Sequence, residues 1–225
     1  MTSQTVRQFA GATLLALSFS PSVVAAQTPA ARFVDSARVQ LERPRPSIDT
    51  AMLSRVEVML DRALVAFPND AYVLHYRGYA AYRRTIALIG DNPSKASAAL
   101  ATAMDSFSRS ADKLPWPETF ALLATTYGLA IRFDQSRAME LGQQIGGLQA
   151  QAMQLGPNNP RVALILGEAM ANTPTEYGGG VDKAKALLTR AIALFETDKP
   201  APLAPTWGRE EAKSQLAELN GGKPR

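Results

Sequence analysis

From residue 49 onward, apolar residues recur every three or four positions and almost nowhere alternate in the manner of a strand. Met52, Val56, Met59, Leu60 and Ala63 share one helical face, and Ala184, Leu187, Leu188, Ala191, Leu194 and Phe195 share another. Apolar spacing of this kind is the signature of amphipathic helices, and clusters of β-branched residues are rare. The pattern predicts about eight helices, over 49–67, 71–88, 93–114, 117–132, 134–155, 160–172, 181–195 and 206–219. Pro117 suits a first helical position, where its missing N–H costs nothing. Thr206 is read as the cap of the last helix, with Glu210 and Glu211 favouring its positive end. Upstream, residues 33–41 form a short helix, and "RPRPS" is a stiff connector because each proline fixes its own φ. The fold class is therefore all-α. Residues 27–48 are a linker with a short helix, 49–220 a helical domain, and 221–225 a disordered tail.

Three segments end alike, "RALVAFPND", "RSADKLPWP" and "AQAMQLGPNNP". Counting backward from Pro68 and Pro115 gives Val56, Leu60, Ala63 and then Ala103, Phe107, Ser110, a small–large–small spacing. The last helix pair repeats it with Ala184, Leu188 and Ala191, whereas Ile145, Gln149 and Ala152 before Pro157 fit poorly. Ten positions after Pro68 and Pro157 stand Gly78 and Gly167. The middle segment has Thr125 at that place and Gly128 three later, a slip that the "PWPE" insertion explains. This arrangement resembles the tetratricopeptide repeat (TPR) family, in which a small residue sits where the two helices of a repeat cross. The resemblance covers residues 49–196 in degenerate form, with prolines spaced more widely than the family's period of about 34 residues. It implies antiparallel helix pairs stacked in a short right-handed solenoid. The stretch "NNPRVALILGEAMANTPTEYGGGVDKAKALLTRAIALF" is also similar to the last repeat of secreted bacterial TPR-like proteins.

The first 26 residues do not belong to that pattern. "MTSQTVRQ" carries Arg7 and no acid, "FAGATLLALSF" is an apolar run, and Val24 and Ala26 are small residues at a cleavage position. They read as a secretory signal peptide, so the protein is expected to be exported, periplasmic or secreted, with no transmembrane segment after cleavage. The chain of 225 residues has no cysteine, which leaves no lipoprotein acyl site and no disulfide framework. Its net charge of +4 is spread along the sequence and gives no basic patch that would call for nucleic acid.

Candidate chemistry is sparse. Gly178, Gly179 and Gly180 open a helix, as phosphate loops do, but no strand precedes them. The Walker spacing is absent, and Asp182 brings negative charge to the phosphate position. They read as a chain reversal with positive φ and close backbone packing against the helix of Trp207. The single histidine, His75, has no partner motif for thiol, serine or zinc chemistry, so no catalytic residue, cofactor or metal is expected. Trp116 and Trp207, each beside a helix start, are read as caps packed on neighbouring helices.

The TPR resemblance implies which side chains face a concave groove: Tyr72, His75, Tyr79, Tyr82 and Arg83 around Gly78, Arg132 near Gly128, and Arg161, Glu168 and Asn172 around Gly167. Tyrosine and arginine are the residue types that anchor interfaces. Only Asn172 approaches the pattern with which the family's carboxylate-clamp members hold a C-terminal tail. The expected function is an exported, non-catalytic scaffold that binds a protein or peptide in this groove. The second reading is a solute-binding component of the tripartite-transporter type with a small apolar ligand, and the third an enzyme centred on His75.

Overall fold

A computed structural model describes residues 29–43 and 49–221. Among them are nine α-helices and no strand: α1 (Ala31–Leu41), α2 (Thr50–Ala66), α3 (Ala71–Leu88), α4 (Pro93–Ala111), α5 (Pro117–Phe133), α6 (Ala138–Leu155), α7 (Pro160–Ala171), α8 (Val181–Phe195) and α9 (Arg209–Leu219). No described helix is long and apolar enough to cross a membrane. The signal-peptide reading of 1–26 and most of the tail lie outside the described residues.

Local chemistry sets most helix starts. Asp49, Asp70, Asn92 and Asn159 each accept backbone N–H groups of the following first turn, satisfying donors that a helix leaves unpaired. Pro93, Pro117 and Pro160 stand in the first turn, where an N–H would go unused. Three boundaries differ from the sequence pattern by three residues or more, the first being the end of α4 at Ala111 in place of 114. The sixth helix starts at Ala138 after a short 3-10 turn, because Asp134 bonds Ser136 and not the helix. The last helix starts at Arg209 with Gly208 as its cap, because Thr206 is used elsewhere.

Each helix packs on the next in sequence, most extensively α3 on α4, α5 on α6 and α7 on α8. The helices thus stack as successive hairpins, with α1 and α2 ahead of them and α9 lying on α8. At Gly78 an added methyl would come within 2.8 Å of the Phe107 ring, and at Gly167 within 3.1 Å of Leu188. Glycine brings the paired helices together at both places. Ala184, Leu188 and Ala191 are fully buried on the α8 side. Gly128 is different, since a methyl there meets nothing within 4 Å and the residue is exposed. It is not a crossing point, and α5 and α6 meet without a glycine contact at this position.

Helix α1 is an integral layer of the core. Val34, Ala37 and Leu41 are fully buried, and the helix packs on both α2 and α3. The main core then runs through Val56, Leu60, Tyr76, Phe107, Leu122, Leu164 and Leu188.

The triple glycine reverses the chain between α7 and α8, each glycine for its own reason. Gly178 (φ 85°) and Gly180 (φ 115°) take backbone conformations that side chains resist. A methyl on Gly179 would overlap the Thr173 carbonyl, and one on Gly180 would lie 2.7 Å from the Thr175 methyl. The packing partner is therefore the loop's own threonines, not the Trp207 segment expected from the sequence. The Gly180 N–H donates to Met170 O at 2.9 Å, tying the loop to the end of α7.

Candidate functional site

Two surfaces compete for the role of binding site. The first is the inner face of α3, α5 and α7, where the sequence places its aromatic and basic residues. Here His75, Tyr79, Tyr82, Arg83 and Arg161 are all buried, and Tyr72 is half-buried against Trp116 with ring centroids 4.8 Å apart. The Arg83 guanidinium donates to the Leu41 carbonyl at 2.9 Å, satisfying an acceptor at the C-terminal end of α1 where positive charge is favoured. Arg161 donates to Asp198 at 2.6 Å and lies over the Phe195 ring. Glu168 accepts from Gln215 of α9 at 2.6 Å, while Arg132 and Asn172 are exposed at the edge.

The chain itself covers this face. Between α8 and α9, residues 198–208 cross from the last hairpin to the first. Trp207 stacks on Tyr79 with centroids 5.1 Å apart and planes 9° off parallel, and the Tyr76 hydroxyl donates to Leu203 O at 2.8 Å. Thr206 donates both its N–H and its hydroxyl to Glu42, just beyond α1. Burial raises the Glu42 carboxyl above its usual range, opposed by these hydrogen bonds and by Arg38. The sequence signal for this strap was a run of three prolines before a tryptophan, a composition that reads as a connector and conceals its burial.

His75 belongs to the core beneath. A 2.8 Å hydrogen bond links its Nδ1 to the Thr119 hydroxyl, and Tyr76, Phe107 and Trp116 surround the ring. Burial alone lowers its pKa to about 3, so the imidazole is neutral at physiological pH. Nearby, Glu118 of α5 accepts from Asn159 at 2.8 Å, and burial pushes its carboxyl up. That pair joins the starts of α5 and α7. Among the described residues no group of three or more acids or histidines could hold a metal ion.

The second surface is open. Helices α4 and α6 flank α5 but scarcely touch one another. Between them lies a cleft of about 540 Å³. Phe120, Leu123 and Tyr127, spaced three and four apart on α5, form its floor. The C-terminal end of α4 supplies Ser108, Ala111 and Asp112, and α6 supplies Gln144, Gly147, Leu148 and Gln151. Gly147 presents bare backbone to this space, since a methyl there would meet nothing within 4 Å. Gly142 and Gly146 are equally unconstrained, although glycine inside a helix costs about 1 kcal/mol relative to alanine. Of α6 only Leu141 and Ala152 are buried. The volume lies in the range of small-molecule sites, and the cleft pairs an apolar floor with polar walls and is open to solvent. None of these cleft residues was singled out from the sequence.

No protein-family model matches the chain, and no curated protein matches it by sequence. Its fold is similar to that of a solved haemophore. That structure is the HusA haemophore from Porphyromonas gingivalis, with a TM-score of 0.68 and 20% identity over 86% of this chain and 96% of that one. At this identity the likeness is one of fold.

Proposed function

We propose that the chain is an exported, non-catalytic binding protein whose cargo is a flat, largely apolar tetrapyrrole held in the cleft over α5. The observation that carries this reading is the unfilled wedge between α4 and α6. Its aromatic floor and side-chain-free wall at Gly147 suit a planar ring, because glycine permits close approach of a ligand to the backbone. Phe120 and Leu123 would lie under the ring and Leu148 beside it. Gln144 and Gln151 supply amide donors for the carboxylate arms, which Asp112 on the facing wall would repel. The Tyr127 phenol is a group able to ligate iron. The likeness in fold to a protein called a haemophore supports the same cargo class.

On this reading the hairpins are degenerate TPR-like repeats, a reading supported by the glycine crossings at Gly78 and Gly167. The site for cargo has moved to the outside of the α4–α5–α6 unit, because the expected groove is filled by residues 198–208.

The test is a titration of the purified chain with haemin and, separately, with metal-free protoporphyrin IX, followed by Soret absorbance and porphyrin fluorescence. Both should saturate at one per chain. Gly147→Leu and Leu148→Arg should each weaken both at least tenfold, whereas Tyr127→Phe should change the haemin spectrum and leave protoporphyrin bound. Absence of saturation with either porphyrin, or affinities unchanged in the two cleft variants, would remove the proposal.

A further inference from the structure

The strap at 198–208 makes unusual local demands for a mere connector. Leu203 has φ 65°, a left-handed conformation that a leucine adopts only under constraint. It follows Pro202 in a turn closed by Ala204 N–H donating to Ala201 O at 3.0 Å, the arrangement in which glycine is the usual third residue. Gly208 has φ 115°, and a methyl there would come within 2.8 Å of Phe195 and 2.9 Å of Leu164. Two polar atoms pressed into this interface, Trp207 Nε1 and Arg161 Nε, are buried without a hydrogen-bond partner among the described residues. Leu203 is the one non-glycine residue with positive φ among the described residues, so the backbone strain of the chain sits on the strap.

The strap's contacts also read as those of a bound peptide. Its residues are "DKPAPLAPTWG", in which Pro200, Pro202 and Pro205 fix their own φ and Pro202 opens the turn at 201–204. Proline-rich segments dock on aromatic-lined grooves through carbonyls accepting from ring hydroxyls and through side chains seated on the rings. Here the Leu203 carbonyl accepts from the Tyr76 hydroxyl, the Trp207 indole lies flat on Tyr79, and the Asp198 carboxylate meets Arg161. A buried arginine whose ion-pair partner comes from the covering segment fits a site that selects an acid in its occupant.

We infer that the inner face of α3 and α7 is a binding site for a proline-containing peptide with a turn at its centre, and that the chain's own residues 198–208 occupy it as an internal competitor. The site takes an acid on Arg161, a backbone carbonyl on Tyr76 and an aromatic anchor on Tyr79. An external segment of the same chemistry gains access when the strap lifts. This site is separate from the porphyrin cleft and stands or falls independently of it.

Hydrogen exchange on the purified, unaltered chain is the first test. The amides of Leu203, Ala204, Thr206 and Trp207 should exchange at least tenfold faster than those of Tyr76 to Ala80, through a local opening. Thr206→Ala, which removes an exposed hydroxyl bond to Glu42, should speed the strap amides several-fold and leave α3 unchanged. The second test adds a fluorescein-labelled synthetic peptide of residues 198–208 in trans. It should bind the Trp207→Ala chain saturably and at least tenfold more tightly than the unaltered chain. Tyr79→Ala in that background, or the peptide with its tryptophan replaced by alanine, should abolish binding. Strap amides exchanging only with α3, at one common rate, would overturn the proposal even if Trp207→Ala fails to fold. So would a folded Trp207→Ala chain that ignores the peptide.

Discussion

The inner face of α3 and the cleft over α5 are both floored by aromatic and aliphatic side chains at helical spacing, yet they end in opposite states. On the inner face, burial extends to His75 and Arg161, and a single crossing segment supplies the covering indole, carbonyl and carboxylate. Over α5, the wall formed by α6 carries three glycines with open space above them and buries two residues. An aromatic stripe on a helix is therefore not evidence of an open site. What separates a covered face from an open one is whether another part of the chain reaches it.

The contrast breaks most visibly at Trp207. Removing the indole should cost about 3–5 kcal/mol, as for large buried aromatics, and lower the melting temperature by about 10 °C. Leu148→Ala in the cleft, where the side chain is half-buried, should cost about 1 kcal/mol. Comparable losses from the two substitutions, measured by thermal or urea unfolding, would erase the distinction.

Acid should act next, and its largest effect is expected through His75 in the inner region. Burial holds His75 neutral down to about pH 3, whereas in the unfolded chain it titrates near 6.5. Between these values the unfolded state binds a proton that the folded state refuses, so stability falls as pH drops through the window. The loss approaches about 4 kcal/mol at the acid end. The raised carboxyls of Glu42, Glu57 and Glu118 work the other way, gaining stability as they protonate. The His75 contribution is therefore read as the difference between the unaltered chain and His75→Phe. A variant with an unchanged acid slope would show that the imidazole is hydrated in the folded state.

The sharpest comparison uses one substitution twice. Gly78→Ala drives a methyl into the Phe107 ring and should destabilise by about 1–3 kcal/mol. Gly147→Ala meets nothing and should stabilise by about 1 kcal/mol through helix propensity, while weakening porphyrin binding. Equal signs in unfolding measurements would mean that α6 is packed more tightly than the contacts allow.

Much of the architecture is legible in the residue pattern. The stripes on α2 and α8, the capping residues Asp49, Asp70, Asn92 and Asn159, and the first-turn prolines are local signals that tertiary packing reinforces. The Gly78–Phe107 contact is legible too, because a small residue and a large one recur at fixed distances from Pro68 and Pro115. The site was less legible, for two physical reasons. Tyr79, Tyr82 and Arg83 look like an interface because periodicity gives a face but not what covers it, and Trp207 lies more than a hundred residues away. The cleft is hidden for the converse reason. It arises because α4 and α6 fail to meet, and a missing contact leaves no periodic mark; the unexplained glycines at 142, 146 and 147 were its nearest trace.

Hydrogen exchange of the whole chain with and without protoporphyrin IX tests the central claim most directly. The account predicts slowed exchange in α6, the C-terminal turn of α4 and the Phe120–Tyr127 stretch of α5, with residues 198–208 and α3 unaffected. Protection confined to the strap and the inner face would place the cargo in the groove first suggested by the sequence and contradict the account.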